Sequence, residues 1–226
     1  MHKQTFNLFS TRLFLVLIVT FILVRGINLS ILQMPFEGWD EYQHLAVADY
    51  IVENGTKPNY GDYVPEKMYE FLSRHPHPSL SAMQLSHIRA KNYQNKIWSI
   101  KDNKWVDSLH LETSKPMIYQ AQHGPIYYYI IAGLRMLGPE MTYEAWADIA
   151  RAVNVIFAAL TILVWFKILK IYCNKNQYLI YLVLLMVAVN SLYAYNYAHI
   201  ANDPLAILFF SIALLLFSSI YYSTQR

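Results

Sequence analysis

Hydrophobic residues gather into long blocks separated by polar stretches. Blocks at 13–32, 149–171, 178–197 and 204–222 each approach the roughly 20 residues that a helix needs to cross bilayer hydrocarbon. A helix also satisfies its own backbone polar groups there, so the pattern predicts four transmembrane helices. The first block is long and no small-residue cleavage pattern follows it, which reads as an uncleaved signal anchor. A further apolar block, 125–137 (PIYYYIIAGLRML), is too short to span. It predicts an interfacial or half-inserted helix, with Tyr127, Tyr128 and Tyr129 at the membrane-water boundary, where an amphipathic ring keeps its hydroxyl wet.

Basic residues near span ends set the orientation. Lys3 and Arg12 precede the first block, Lys167, Lys170 and Lys175 lie between the second and third, and Arg226 follows the fourth. Four spans put all of these in the cytoplasm. Counting 125–137 as a span would move the central lysines outside. The expected fold is thus all-α and integral to the membrane: a cytoplasmic N-terminus with the first span at 1–33, an external loop with amphipathic and interfacial helices at 34–148, and three further spans at 149–226. The host membrane would be the plasma (inner) membrane of a bacterium or the endoplasmic reticulum of a eukaryote.

Composition agrees with this. The 226 residues are 55% hydrophobic and only 15% charged, well under the roughly 25% charged of a soluble domain. The net charge of +3 is not concentrated in one run, so no nucleic-acid partner is expected. The single cysteine, Cys173, excludes an internal disulfide and a cysteine-based zinc site.

The external segment holds most of the acids and histidines. Residues 37–55 read as an amphipathic helix, with Leu45, Ala48 and Val52 at helical spacing and Asn54-Gly55 as its stop. On that helix Asp40 and His44 are one turn apart and share a face, and Glu41 is three residues before His44. A second helix is expected at 65–74, opened by Pro65. His75 and His77 read as loop histidines, because no third ligand is near. His123 in 119–123, Arg151 and Asn202-Asp203-Pro204 fall at the same outer boundary as Asp40 and Glu41 in this topology. Ionisable groups at that depth are functional candidates. The plainer reading makes Asp203 a helix cap and Arg151 a headgroup anchor.

In this order, the motifs resemble those of a known superfamily. A first span is followed by Trp39-Asp40-Glu41-x-x-His44-Leu45, then Gln122-His123-Gly124-Pro125-Ile126-Tyr127-Tyr128-Tyr129, then Ala150-Arg151-x-x-Asn154, then Ala201-Asn202-Asp203-Pro204-Leu205-Ala206. The series is similar to the N-terminal part of C-type (GT-C) integral-membrane glycosyltransferases, nearest to the protein O-mannosyltransferase and aminoarabinose-transferase-like branch. Gly124-Pro125 stands where that branch usually has Pro-Pro. Its members are commonly much longer, so the chain is expected to be an N-terminal module, part of a split enzyme, or a subunit with a membrane partner that completes the fold.

The resemblance implies transfer of a sugar from a polyprenyl-phosphate carrier to an acceptor hydroxyl or amine of a protein, lipid or glycan, with inversion, on the external face. It puts Asp40 and Glu41 at the catalytic acidic pair, with the first acid as general base. His44 would orient the pair, Arg151 and His123 would contact the departing phosphate, and Asp203 would line the cavity. A divalent cation beside Asp40 and Glu41 is chemically compatible, but the branch does not generally need one, and metal is left unassigned. The alternative function is a non-catalytic membrane subunit or truncated pseudoenzyme that binds a lipid carrier or a partner transferase. A metal-dependent hydrolase on His75, His77 and His110 is disfavoured, because their spacings match no standard metal motif.

Overall fold

The computed structural model describes residues 2–33, 40–74, 96–99, 104–107, 117–173 and 176–224. His75, His77, His110 and the start of the expected 37–55 helix lie outside the described residues. The helices are α1 (His2–Leu32), α2 (Glu41–Asn54), α3 (Glu66–Arg74), α4 (Ile126–Leu137), α5 (Tyr143–Tyr172), α6 (Gln177–Val189), α7 (Ser191–Tyr197) and α8 (Asp203–Thr224), with a 3-10 turn at Tyr119–Gln122. Among the described residues the strands form an antiparallel hairpin, β1 (Lys96–Ser99) against β2 (Lys104–Asp107), and Tyr63 and Met117 form an isolated antiparallel bridge. The chain divides into two compact units, the boundary falling within α5 between Ala150 and Arg151.

The first unit comprises Met1–Leu32, Arg151–Ala198 and Asp203–Arg226. Among the described residues, three helices are long and apolar enough to cross a membrane: Ser10–Leu32, α5 and α8. The α6 and α7 pair makes a fourth if its two parts count as one span, bent by 62°. The apolar block expected as one continuous helix is therefore broken, and the break has a local cause. The Asn190 side chain accepts from Leu192 N (2.9 Å) and Tyr193 N (3.2 Å), capping α7 in place of helix continuation. Arg25 Nη1 donates to the carbonyls of Ala188 (2.9 Å) and Asn190 (3.4 Å), which gives the interrupted backbone a partner where lipid offers none.

Small residues and polar rungs hold these helices together, as membrane helix packing favours. Gly26 of α1 meets Val155 of α5 so closely that a Cβ there would lie 2.6 Å from Val155 Cγ1. Trp165 Nε1 donates to Ser211 Oγ (3.0 Å), and one heptad on, the Tyr172 and Ser218 hydroxyls bond at 3.0 Å. Thr11 and Tyr181 join α1 to α6 at 2.6 Å. Between them lies an apolar core of Ile18, Ile22, Ala158, Ile162, Ile180 and Leu184. Arg151 is fully buried and donates from Nη1 to the Ser30 carbonyl (3.1 Å). The headgroup-anchor reading of Arg151 is thereby corrected: a guanidinium near a span end looks exposed in sequence, but this one serves a carbonyl inside the unit.

The second unit comprises Gln33–Ala150 and His199–Asn202. Its centre is α2, packed along α4. The amphipathic expectation for α2 is also corrected. Every residue from Glu41 to Asp49, and Ile51, is buried, because the polar side chains find partners distant in sequence. The helix ends where Asn54-Gly55 signalled, with Gly55 at φ 70° donating its N–H to Ile51 O, a left-handed stop that glycine adopts freely. Of the three tyrosines expected at the membrane-water boundary, Tyr129 is exposed, whereas Tyr127 and Tyr128 are buried.

Candidate functional site

The acidic pair stands at the entrance to α2, and its two members have different surroundings. Asp40 precedes the first helical residue with φ 58°, the one positive φ among the described non-glycine residues. Asp tolerates this left-handed region better than most side chains. From there its carbonyl accepts the N–H groups of Gln43 (2.8 Å) and His44 (3.1 Å), while its half-buried carboxylate accepts the Tyr119 hydroxyl. Burial and the Asp40 charge push the Tyr119 phenol well above its ordinary pKa, so it stays protonated as a donor. Glu41 instead is fully buried, and its Oε1 accepts the Ile200 N–H at 2.7 Å.

The next turn of α2 continues the polar row. Gln43 clamps the 117–119 segment, donating from Nε2 to Met117 O and accepting Tyr119 N, both at 3.0 Å. These two hydrogen bonds fix the segment leading to Tyr119. His44 Nδ1 pairs with the Tyr128 hydroxyl of α4 at 3.0 Å. Burial above all, then the charges of His123 and His199, pull His44 down to about 3, so it is a neutral imidazole at physiological pH. Its ring centroid is 6.2 Å from that of His123. His123 closes the 3-10 turn, and its carbonyl accepts Lys57 Nζ at 2.7 Å.

All six sequence-derived candidates can now be located. Asp40, Glu41, His44 and His123 belong to one unit, and the helix-face relation between Asp40 and His44 is a cap-to-first-turn relation with separate phenol partners. Arg151 and Asp203 belong to the other unit, Asp203 as the exposed first residue of α8. Tyr119, Gln43, Lys57 and His199 were not singled out from sequence, and Tyr128 was expected at the membrane boundary instead of beside His44. Tyr119 and Tyr128 flank the flagged His123 motif and could have been weighed with it; nothing in the sequence marks Lys57. Among the described residues no group of His, Cys, Asp or Glu is arranged to hold a metal ion.

Deeper on α2, Asp49 is buried and accepts the Tyr143 hydroxyl at 2.8 Å. Burial pushes its carboxyl up to about 6, against the opposing Tyr143 bond. A pKa raised above the unfolded 3.8 means that its stabilising contribution is present at acid pH and lost as pH rises through about 6. His44 acts with the opposite sign, losing stability as pH falls from 6.5 towards 3. Asp49→Asn is therefore expected to gain melting temperature relative to the native chain between pH 4 and 7, read by thermal unfolding in detergent; a pH-independent difference would contradict the buried-carboxyl assignment.

The chain matches no family model, and neither a curated protein nor a solved structure is significantly similar to it. The functional reading accordingly rests on the residues themselves.

Proposed function

We propose that the protein is a glycosyltransferase, or the N-terminal module of one, that moves a sugar from a polyprenyl-phosphate carrier to an acceptor hydroxyl or amine at the external face of the membrane. One observation carries the reading: an aspartate held in a left-handed backbone at the entrance to α2, half-buried, with its carboxylate oriented by a phenol. Backbone strain of this kind concentrates at functional sites. Asp40, not Glu41, is the base, because Glu41 is committed to the Ile200 backbone.

In the proposed step Asp40 takes the acceptor proton as the acceptor oxygen or nitrogen bonds to the anomeric carbon, and the carbon-oxygen bond to the carrier phosphate breaks with its electron pair leaving on phosphate. General-base help of this type contributes about 10²–10⁴-fold. Positive charge near the departing phosphate stabilises it, and Lys57, held at the His123 carbonyl, supplies a cation in the same unit as Asp40. Arg151 serves the Ser30 carbonyl and is the weaker candidate for that contact. The polyprenyl-phosphate sugar is the donor, and the acceptor is a protein, lipid or glycan.

The test is turnover by the protein in liposomes containing a labelled polyprenyl-phosphate sugar and hydroxyl acceptors. The expected result is release of polyprenyl phosphate with an inverted anomeric linkage in the product. Failure to bind the donor, or turnover with a retained configuration, overturns the reading.

A further inference from the structure

Arg25 carries a charge into an apolar helix. It lies on α1 about 10 Å along the axis from the end of the span at Leu32, a depth at which a guanidinium is costly unless it is compensated. Its Nη1 donates to the carbonyls of Ala188 and Asn190, and the guanidinium lies 5.8 Å from the Phe21 ring centroid. Carbonyl dipoles and a ring face leave its unit charge uncancelled. The Nε and Nη2 groups are donors too, and neither has an acceptor among the described residues. The side chain is partly exposed. The membrane unit cannot easily supply an anion, because the sequence of its three segments contains a single acid, Asp203, which is exposed at the start of α8.

The surroundings fit the head and the tail of one lipid. The helices α1 and α6 run in the same direction, with Thr11 meeting Tyr181 near their starts and Arg25 meeting Ala188 at the end of α6. With 13 residues, α6 rises about 20 Å before the chain turns by 62°, which is roughly 10 Å short of the hydrocarbon thickness. A short span is accommodated by a locally thinner leaflet. Lipid headgroups then come down to the break, where the guanidinium is held. One and two turns back along the same face of α1, Phe21 and Leu17 are exposed. A partly open cation thus tops an open apolar row.

We propose that Arg25 holds the phosphate of an anionic phospholipid, with Nε and Nη2 donating to phosphate oxygens and one acyl chain lying along Phe21 and Leu17. The planar guanidinium matches phosphate oxygens two at a time. Its donors are then divided: Nη1 serves the backbone at the break, and the others serve the lipid, which also supplies the counter-charge. Every residue involved belongs to the membrane unit, so the site stands independently of the transfer chemistry proposed for Asp40.

The test uses the full chain in lipid nanodiscs with Cys173→Ser as background. A fluorophore is placed on Leu17→Cys or, for comparison, on Phe210→Cys, an exposed position of α8. A small fraction of chain-brominated phosphatidylglycerol or phosphatidylcholine is included, and the ratio of quenching by the two lipids is read at each position. At 17 the anionic lipid is expected to be favoured about fivefold, the weight of one basic residue, and at 210 hardly at all. Arg25→Gln is expected to bring the ratio at 17 down to that at 210. Equal quenching by both lipids at 17 overturns the proposal, and so does a preference at 17 that a folded Arg25→Gln protein retains. A preference of the same size at 210 also overturns it, because the net positive charge of the unit then attracts anionic lipid without a site. If Arg25→Gln fails to insert, the comparison of positions in the Arg25 protein decides. Unlabelled polyprenyl phosphate that restores emission at 17 far more effectively than unlabelled phosphatidylglycerol overturns the phospholipid assignment, because the site then prefers a carrier phosphate.

Discussion

Asp40→Asn is expected to bring sugar transfer down by about 10²–10⁴-fold while the protein inserts, folds and melts as before. Asparagine tolerates the left-handed backbone that Asp40 adopts at φ 58°. Its amide oxygen still accepts the Tyr119 hydroxyl, the bond that orients the native carboxylate. What it lacks is a lone pair basic enough to take the acceptor proton. The substitution thus separates chemistry from architecture, which Asp40→Ala would not, since alanine at positive φ costs about 1–2 kcal/mol. Tyr119→Phe supplies a graded comparison: the base remains but loses its orienting donor, so transfer falls by less than in the asparagine variant. Transfer rates measured on reconstituted protein check both. An asparagine variant that transfers at the native rate removes Asp40 from the base role.

The second large effect concerns the membrane helices. Gly26→Val is expected to destabilise the α1 and α5 contact by about 3 kcal/mol, the upper part of the range for overpacking. The added Cβ would lie 2.6 and 2.7 Å from the two Val155 methyls and 3.3 Å from its Cβ. Val155 cannot swing aside, since a β-branched side chain in a helix has essentially one rotamer. The helices must separate instead, loosening the neighbouring contacts of Ile22 and Ala158 with their core. Val155→Ala in the same chain clears the methyls, so the double variant recovers much of the loss. Heat-induced loss of monodisperse protein in detergent, read for both singles and the double, measures the coupling. Additive losses would mean that the two residues do not meet.

What could be read from sequence followed the range of the interaction involved. Hydropathy is a local sum, and it located α1, α5 and α8 to within a few residues at most ends. It extended less well to α5, whose first turns, from Tyr143, carry polar and charged residues that the apolar block excluded. The break in the 178–197 block was visible in principle as Asn190-Ser191, a capping pair inside an apolar run, but hydropathy averages over it. The character of α2 was not legible. Glu41, Gln43, His44 and Asp49 are polar or ionisable and carry no sign of burial in the sequence, and each is buried because its partner arrives from Ile200, Met117 and Tyr119, Tyr128 or Tyr143. Those pairings span 74 to 159 residues, beyond the reach of any periodicity. The acidic pair itself was found by motif order, but which acid is open and which is committed depends on the fold.

The Arg25 contacts give the order of synthesis a physical meaning. A ribosome makes α1 long before the Asn190 break, so the guanidinium is already in the bilayer when the carbonyls of Ala188 and Asn190 arrive needing a donor. A circularly permuted chain that delivers the break first would present those carbonyls to lipid with no donor waiting, and the insertion machinery would meet a 13-residue α6 too short to be retained as a span. The N-terminal helix is in this sense a template laid down for a later, imperfect segment.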